Sequence, residues 1–221
     1  MHDFIQGPFI TIAVIVFVLG LLFQTVRFFQ MTRKKEWGHP PLPQEVKPEK
    51  KTAKTRIASA LAALKGTLWK TDPVLMIVTS VFHLGLIITP LFLLGHNLLL
   101  SQAWGWSLPS LPESLTDGLT FVVLLCGAYF LCRRFFLARV RAITSLYDYV
   151  VWLIAIAPFL TGFLAYHQWF CYETVMTLHI LSGCIMLIAI PFTKLGHMLF
   201  FFFYRFFIGG EYSFLRGSRT W

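Results

Sequence analysis

Seven histidines are spread along the 221 residues, and four lie inside strongly apolar stretches: His83 and His96 in one, His179 and His197 in another. Ionisable side chains within a membrane span are costly and mark functional sites. His2 and His39 lie in polar segments, and His167 sits just past the end of a further apolar stretch. Two imidazoles approaching from facing helices are what a six-coordinate haem iron needs, one ring nitrogen on each side of the porphyrin plane. A lone histidine in a span is more often a helix–helix hydrogen bonder; four that match in pairs shift that balance toward ligation.

The pairing depends on the helices that carry these rings. The chain is 57% hydrophobic and 13% charged, about half the charged share of a soluble domain, which excludes a water-soluble globule. Five apolar stretches reach the length of about 17–25 residues that crosses a bilayer as a helix: residues 8–30, 74–100, 115–132, 148–166 and 174–207. The expected fold is all-α, a polytopic five-transmembrane-helix bundle making one membrane domain over 1–221, with a cytoplasmic loop at 31–72. Pro8 suits a first helical turn, Thr116 and Asp117 open the third span, and Arg133 and Arg134 close it. The fifth stretch is about 51 Å long as one helix, so it must project beyond the hydrocarbon or break at Pro191.

Lysine and arginine give the orientation, because cytoplasmic loops retain positive charge. Of 19 such residues, 11 lie between Arg27 and Lys70. Arg133, Arg134, Arg139 and Arg141 lie between spans three and four, and Lys194, Arg205, Arg216 and Arg219 at the end of span five. The N-terminus and the loops 101–114 and 167–173 carry none and include Asp3, Glu113 and Glu173. The N-terminus is therefore expected outside and the C-terminus in the cytoplasm. The net charge of +9 is this asymmetry and does not call for nucleic acid. The start, Met1 to Phe4, lacks the basic region of a signal peptide, so the first stretch reads as a retained span. In the inner loop a proline-rich segment, 38–43, precedes Arg56 to Trp69. There Ile57, Leu61, Leu64 and Leu68 recur at helical spacing, which predicts an amphipathic helix on the membrane lipid; a grip on a cytoplasmic partner is the sharper alternative. Cys126, Cys132, Cys171 and Cys184 show no CxxC or CxxCH spacing, which excludes c-type haem attachment.

Spans two and five run antiparallel in this topology, which sets His83 level with His197 and His96 level with His179. His179 and His197 are 18 residues apart, five turns, so on one continuous helix they share a face about 27 Å apart along its axis. His83 and His96 are 13 apart, about 3.6 turns, and need Pro90 to reset the phase. The spacing thus points to two b-type haems, each held by two histidines. Lys194, about one turn before His197, and Arg141 or Arg139 are candidates for an inner haem propionate, with snorkelling and ordinary loop charge as the alternatives. The outer haem receives no cation from this chain. His167, with Gln168 and Trp169, is a candidate proton exchanger with a quinone or a plain interfacial residue. No residue is singled out for covalent catalysis.

Several segments resemble one family. Arg133-Arg134-Phe135-Phe136, followed by Arg139-Val140-Arg141-Ala142, Thr144 and Asp148, is similar to the cytoplasmic loop of the gamma subunit, the dihaem cytochrome b, of respiratory nitrate reductase. Phe82-His83-Leu84-Gly85 and Gly95-His96 resemble the ligand segments of its second span. Leu178-His179 and Pro191-Phe192-Thr193-Lys194-Leu195-Gly196-His197 resemble its later pair, and the likeness covers nearly the whole chain. The resemblance implies that His83 and His197 hold the inner haem b, and His96 and His179 the outer one. It implies an electron-transfer subunit of an oxidoreductase complex in the bacterial cytoplasmic membrane, with menaquinone as a further cofactor. Two features depart from the pattern: the interval between His83 and His96 is longer, with extra residues near Thr89 and Pro90, and the outer face lacks the lysine associated with quinol binding. The proline-rich inner loop is similar to relatives in sulfate-reducing bacteria. There such a subunit, beside other membrane subunits, joins a periplasmic multihaem cytochrome c to a heterodisulfide-reductase-like cytoplasmic iron–sulfur subunit. A haem-free membrane anchor and a His-based proton or metal transporter are the alternatives; the transporter is disfavoured because no Asp or Glu lies deep within a span.

Overall fold

The computed structural model describes residues 7–32, 72–197 and 200. The proline-rich segment, the amphipathic helix expected over Arg56 to Trp69 and the far end of the fifth stretch lie outside the described residues. Those described form helices with no strand among them: α1 (Pro8–Thr32), α2 (Pro73–Phe92), α3 (Leu94–Trp104), α4 (Glu113–Phe136), a short α5 (Ala138–Arg141), α6 (Leu146–Tyr166) and α7 (Tyr172–Phe192), then a 3₁₀ turn at Lys194–Gly196. Five of these, α1, α2, α4, α6 and α7, are long and apolar enough to cross a membrane, and large apolar side chains such as Leu19, Phe23, Leu84, Leu125 and Leu153 remain exposed along them. This is a multi-pass α-helical membrane protein. Apolar side chains that water would reject are at home against lipid.

The chain divides into two compact units, residues 1–21 with 77–196, and residues 22–76 with 197–221. In the first, α6 packs most extensively on α7, and α4 packs on α6. Its core joins Phe82, Val123, Cys126, Ile156 and Phe159, with Val78, Leu86, Leu124, Phe130 and Trp152 against them. Helices in lipid gain little from hydrophobic exclusion and associate through close packing at small residues. Gly85 of α2 lies where a Cβ would come 2.4 Å from Val123 Cγ2, Gly127 of α4 where one would meet Ile156 Cδ1 at 2.4 Å, and Gly20 of α1 against the ring of Pro191. Trp152 Nε1 donates to the carbonyl of Gly127 at 3.0 Å, reaching backbone that a side chain would cover. In the second unit, the carboxylate of Asp72 accepts from Leu75 N–H at 3.0 Å and so caps the start of α2.

Two of the expected helices are interrupted. The second apolar stretch, expected as one span over 74–100, breaks at Leu93, whose backbone is extended (φ −71°, ψ 130°), and continues as α3. The fifth, expected over 174–207, ends at Phe192, with Thr193 extended (φ −121°, ψ −177°). Thr193 Oγ1 then accepts from Leu195 N–H at 3.2 Å and starts the 3₁₀ turn. Pro191 contributes no N–H to sustain the helix there. The five-turn register between His179 and His197 therefore does not apply, since the backbone between them is not one helix.

Gly85→Ala forces its methyl into Val123, a stiff, fully buried residue, and such overpacking costs about 1–3 kcal/mol. Gly118→Ala, on α4 with open space around it, costs nothing. Thermal unfolding of the two variants in detergent should separate them, and equal melting temperatures would refute the close-packing role of Gly85.

Candidate paired-imidazole site

The break at Leu93 creates the site. A helix that stops leaves its last four carbonyls without N–H partners, and each must find another, because nothing in the hydrocarbon replaces water. Here His96 Nδ1 lies 2.9 Å from the carbonyl of Pro90, Asn97 Nδ2 donates to Leu91 at 3.2 Å, and Leu111 N–H donates to Phe92 at 2.9 Å. Asn97 is buried and does more. Its Nδ2 also donates to Ser110 Oγ and its Oδ1 accepts from Leu108 N–H, both at 3.2 Å. The segment after α3 is thereby tied back to the break. Its turn starts at Gly105, left-handed at φ 74°, a conformation glycine adopts without strain.

His179 is set from the other side by α6 and α7. Its Nδ1 lies 2.9 Å from the carbonyl of Pro158, in the middle of α6, and 3.4 Å from Thr161 Oγ1. Thr161 in turn contacts Ser182 Oγ at 3.2 Å. The ring fits because residue 162 is glycine, where a Cβ would come 2.9 Å from His179 Cε1.

The two rings meet. The His96 and His179 ring centres are 5.9 Å apart and their planes lie within 12° of parallel. A backbone carbonyl only accepts, so each Nδ1 carries the proton and each Nε2 keeps the lone pair of the neutral ring. Metal-ligating histidines are commonly fixed in this way, by donating the other ring N–H to a carbonyl. With each Nε2 lone pair kept, His96 and His179 are the two residues here that could hold a metal ion.

The other expected site residues are placed as follows. His83, on α2, is half-buried, with Nδ1 2.7 Å from the carbonyl of Thr79 and the ring edge-on to Phe82. His197 is exposed and belongs to the second unit. Lys194, a candidate for a propionate, pairs with Asp148 at 2.7 Å and lies over the Tyr147 ring. Asp148 also accepts from Ser145 N–H and Oγ–H at 2.8 Å, so it stands as the acid that caps α6 and draws Lys194 in. Arg141 reaches the carbonyl of Phe135 at 3.5 Å and is exposed. His167 Nε2 lies 3.0 Å from Asp117 Oδ1, joining the end of α6 to the start of α4 among the rings of Phe163, Tyr166 and Trp169. Asn97, Thr161 and Gly162 were not singled out from the sequence. Their one legible signal is polarity or smallness within an apolar stretch, shared with residues that play no such part.

Fold and site thus define a multi-pass helical membrane protein with paired imidazoles at a helix break. A protein of Nitratidesulfovibrio vulgaris (strain Hildenborough), described only as "Protein", is 34% identical over 231 residues, covering 100% of this chain and 97% of its own length. The chain belongs to the family of that protein. No family model matches the chain, and no solved structure does.

Asn97→Ala strands the Leu91 carbonyl and the Leu108 N–H, and an unsatisfied buried group costs about 1–3 kcal/mol. A lower melting temperature in detergent is the expected result, and an unchanged one would remove Asn97 as the staple of the break.

Proposed function

We propose that this chain is a dihaem cytochrome b subunit. It carries electrons across the bacterial cytoplasmic membrane between a quinone pool, such as menaquinone, or a periplasmic cytochrome c and a cytoplasmic iron–sulfur subunit. The observation that carries this reading is the His96–His179 pair, near-parallel rings 5.9 Å apart whose Nδ1 protons are committed to the Pro90 and Pro158 carbonyls. Haem, when bound, supplies a one-electron centre. The chain's own residues do the rest. The two carbonyls hold the imidazoles in the ligating tautomer, Gly162 leaves room for one ring, and Asn97 keeps the break closed against water. His83 and His197 are the ligands of the second haem in this proposal. Its support is the sequence resemblance, together with the carbonyl of Thr79 that holds the His83 ring.

The N-terminus is outside and the C-terminus cytoplasmic in this reading, which rests on the one-sided placement of lysine and arginine.

Two measurements test the proposal. A reduced-minus-oxidised visible spectrum of the purified chain, with haem quantified, should give about two b-type haems per polypeptide. His96→Ala and His179→Ala should lose the same haem, and His83→Ala and His197→Ala the other. A folded, haem-free protein from haem-sufficient cells would overturn it. For orientation, Cys132 and Cys171 are exposed while Cys126 and Cys184 are buried. The Thr174 N–H beside Cys171 draws its thiol below the usual value, favouring the reactive thiolate. A membrane-impermeant maleimide should label Cys171 in intact spheroplasts; labelling only after lysis would invert the topology.

A further inference from the structure

Three apolar side chains at one end of the first unit are exposed far beyond the rest. Phe136, Ile143 and Leu146 are 83%, 83% and 81% exposed, whereas no other large apolar side chain among the described residues exceeds 66%. They stand on the connection that leads from α4 through α5 to α6; Phe136 ends α4 and Leu146 begins α6. Phe135, next in the chain, packs its ring on Tyr149 with centres 5.5 Å apart, while Phe136 is left outside. An uncovered apolar patch marks an interaction surface, and its depth in the membrane says with what.

The His167–Asp117 pair fixes that depth. It ties the end of α6 to the start of α4 at 3.0 Å, and ionisable side chains of this kind belong at a membrane boundary. Asp117 and Phe136 are 19 residues apart on α4, about 29 Å along its axis, and Leu146 and His167 are 21 apart across α6, about 32 Å. The hydrocarbon core is about 30 Å thick, so both helices, counted separately, put Phe136 and Leu146 at its opposite boundary, where acyl chains meet headgroups. A soluble partner stops outside the headgroups; a lipid brings its chains to this level. The charge there selects the headgroup. Arg139 and Arg141, the basic residues of α5, are both exposed, and a guanidinium suits a phosphate through two parallel hydrogen bonds. Asp148, among the described residues the one acid of this unit at that end of the bundle, is already engaged by Lys194 and Ser145. We propose that the connection from α4 to α6 is a binding site for an anionic phospholipid, with the phosphate on Arg139 and Arg141 and the acyl chains against Phe136, Ile143 and Leu146. The site needs no haem and holds for either orientation of the chain across the membrane.

Native mass spectrometry of the full-length protein, with equal amounts of phosphatidylglycerol and phosphatidylcholine of the same acyl chains added to the detergent, tests the site. Wild type should retain phosphatidylglycerol in preference. Arg139→Gln combined with Arg141→Gln should lower that preference about fivefold for each charge removed. Arg139→Lys combined with Arg141→Lys, which keeps the charge, should lower it less, and Glu173→Gln, at the other end of the bundle, should leave it as it is. Equal retention of the two lipids by wild type, or a preference unmoved by the double glutamine variant, would overturn the proposal. The occupant itself is read in the native membrane with p-benzoylphenylalanine placed at position 143. Irradiation should give a phospholipid adduct of the chain. A cross-link to another protein, or to a distant segment of this chain, in place of that adduct would reject the lipid and name the occupant that covers the patch instead.

Discussion

Backbone carbonyls that lose their helical partner inside a bilayer have no water to turn to, and the interruption at Leu93 produces three in a row, at Pro90, Leu91 and Phe92. Each is answered by a different group: the His96 ring, the Asn97 amide and the Leu111 N–H. That obligation orients His96, buries Asn97 and draws the segment after α3 back to the level of the break. The same logic operates across the interface, where the Pro158 carbonyl meets His179 Nδ1. Both imidazoles are thus fixed by backbone, the least mobile partner a helical membrane protein offers. Histidine suits the task because one ring nitrogen satisfies the carbonyl while the other remains a base.

Close approach of the helices is the second requirement. Gly85, Gly127 and Gly162 each face a side chain of a neighbouring helix at a distance that no Cβ permits. Two of them admit the branched side chains of Val123 and Ile156, and the third admits an imidazole. Stability and site geometry therefore draw on one device: removing a methyl from one helix makes room for a group on the next. The residues left on the outside, leucine, phenylalanine and valine in quantity, meet lipid and carry little positional information.

Among the described residues, charge is confined to the helix ends and the turns between them. Glu113 begins α4 and Arg133 and Arg134 end it, an arrangement that complements the helix dipole. His167 with Asp117 fastens one end of the bundle, and Lys194 with Asp148 the other. Both pairs are partly exposed, so their energetic worth is small; their effect is to set which helix ends lie together. In the proposed electron carrier, this leaves the interior to neutral imidazoles and hydroxyls.

Sequence alone was enough for the helical class, for the five apolar stretches and for drawing attention to the histidines within them, because hydrophobic run length and the cost of an ionisable group in lipid are local properties. Residues 115–132 and 148–166, read as spans, lie within α4 and α6, which extend slightly beyond them. The sites of interruption were not legible: Pro90 and Pro191 pointed near them, yet the chain breaks at Leu93 and Thr193, two or three residues on. A proline removes one N–H, but where the helix then ends depends on which side chains and returning loops can take the stranded carbonyls. The surroundings of Lys194 and His167 were hidden for the same reason. A salt bridge is a relation between helices far apart in sequence, and only tertiary packing decides which of several nearby charges finds its counterpart.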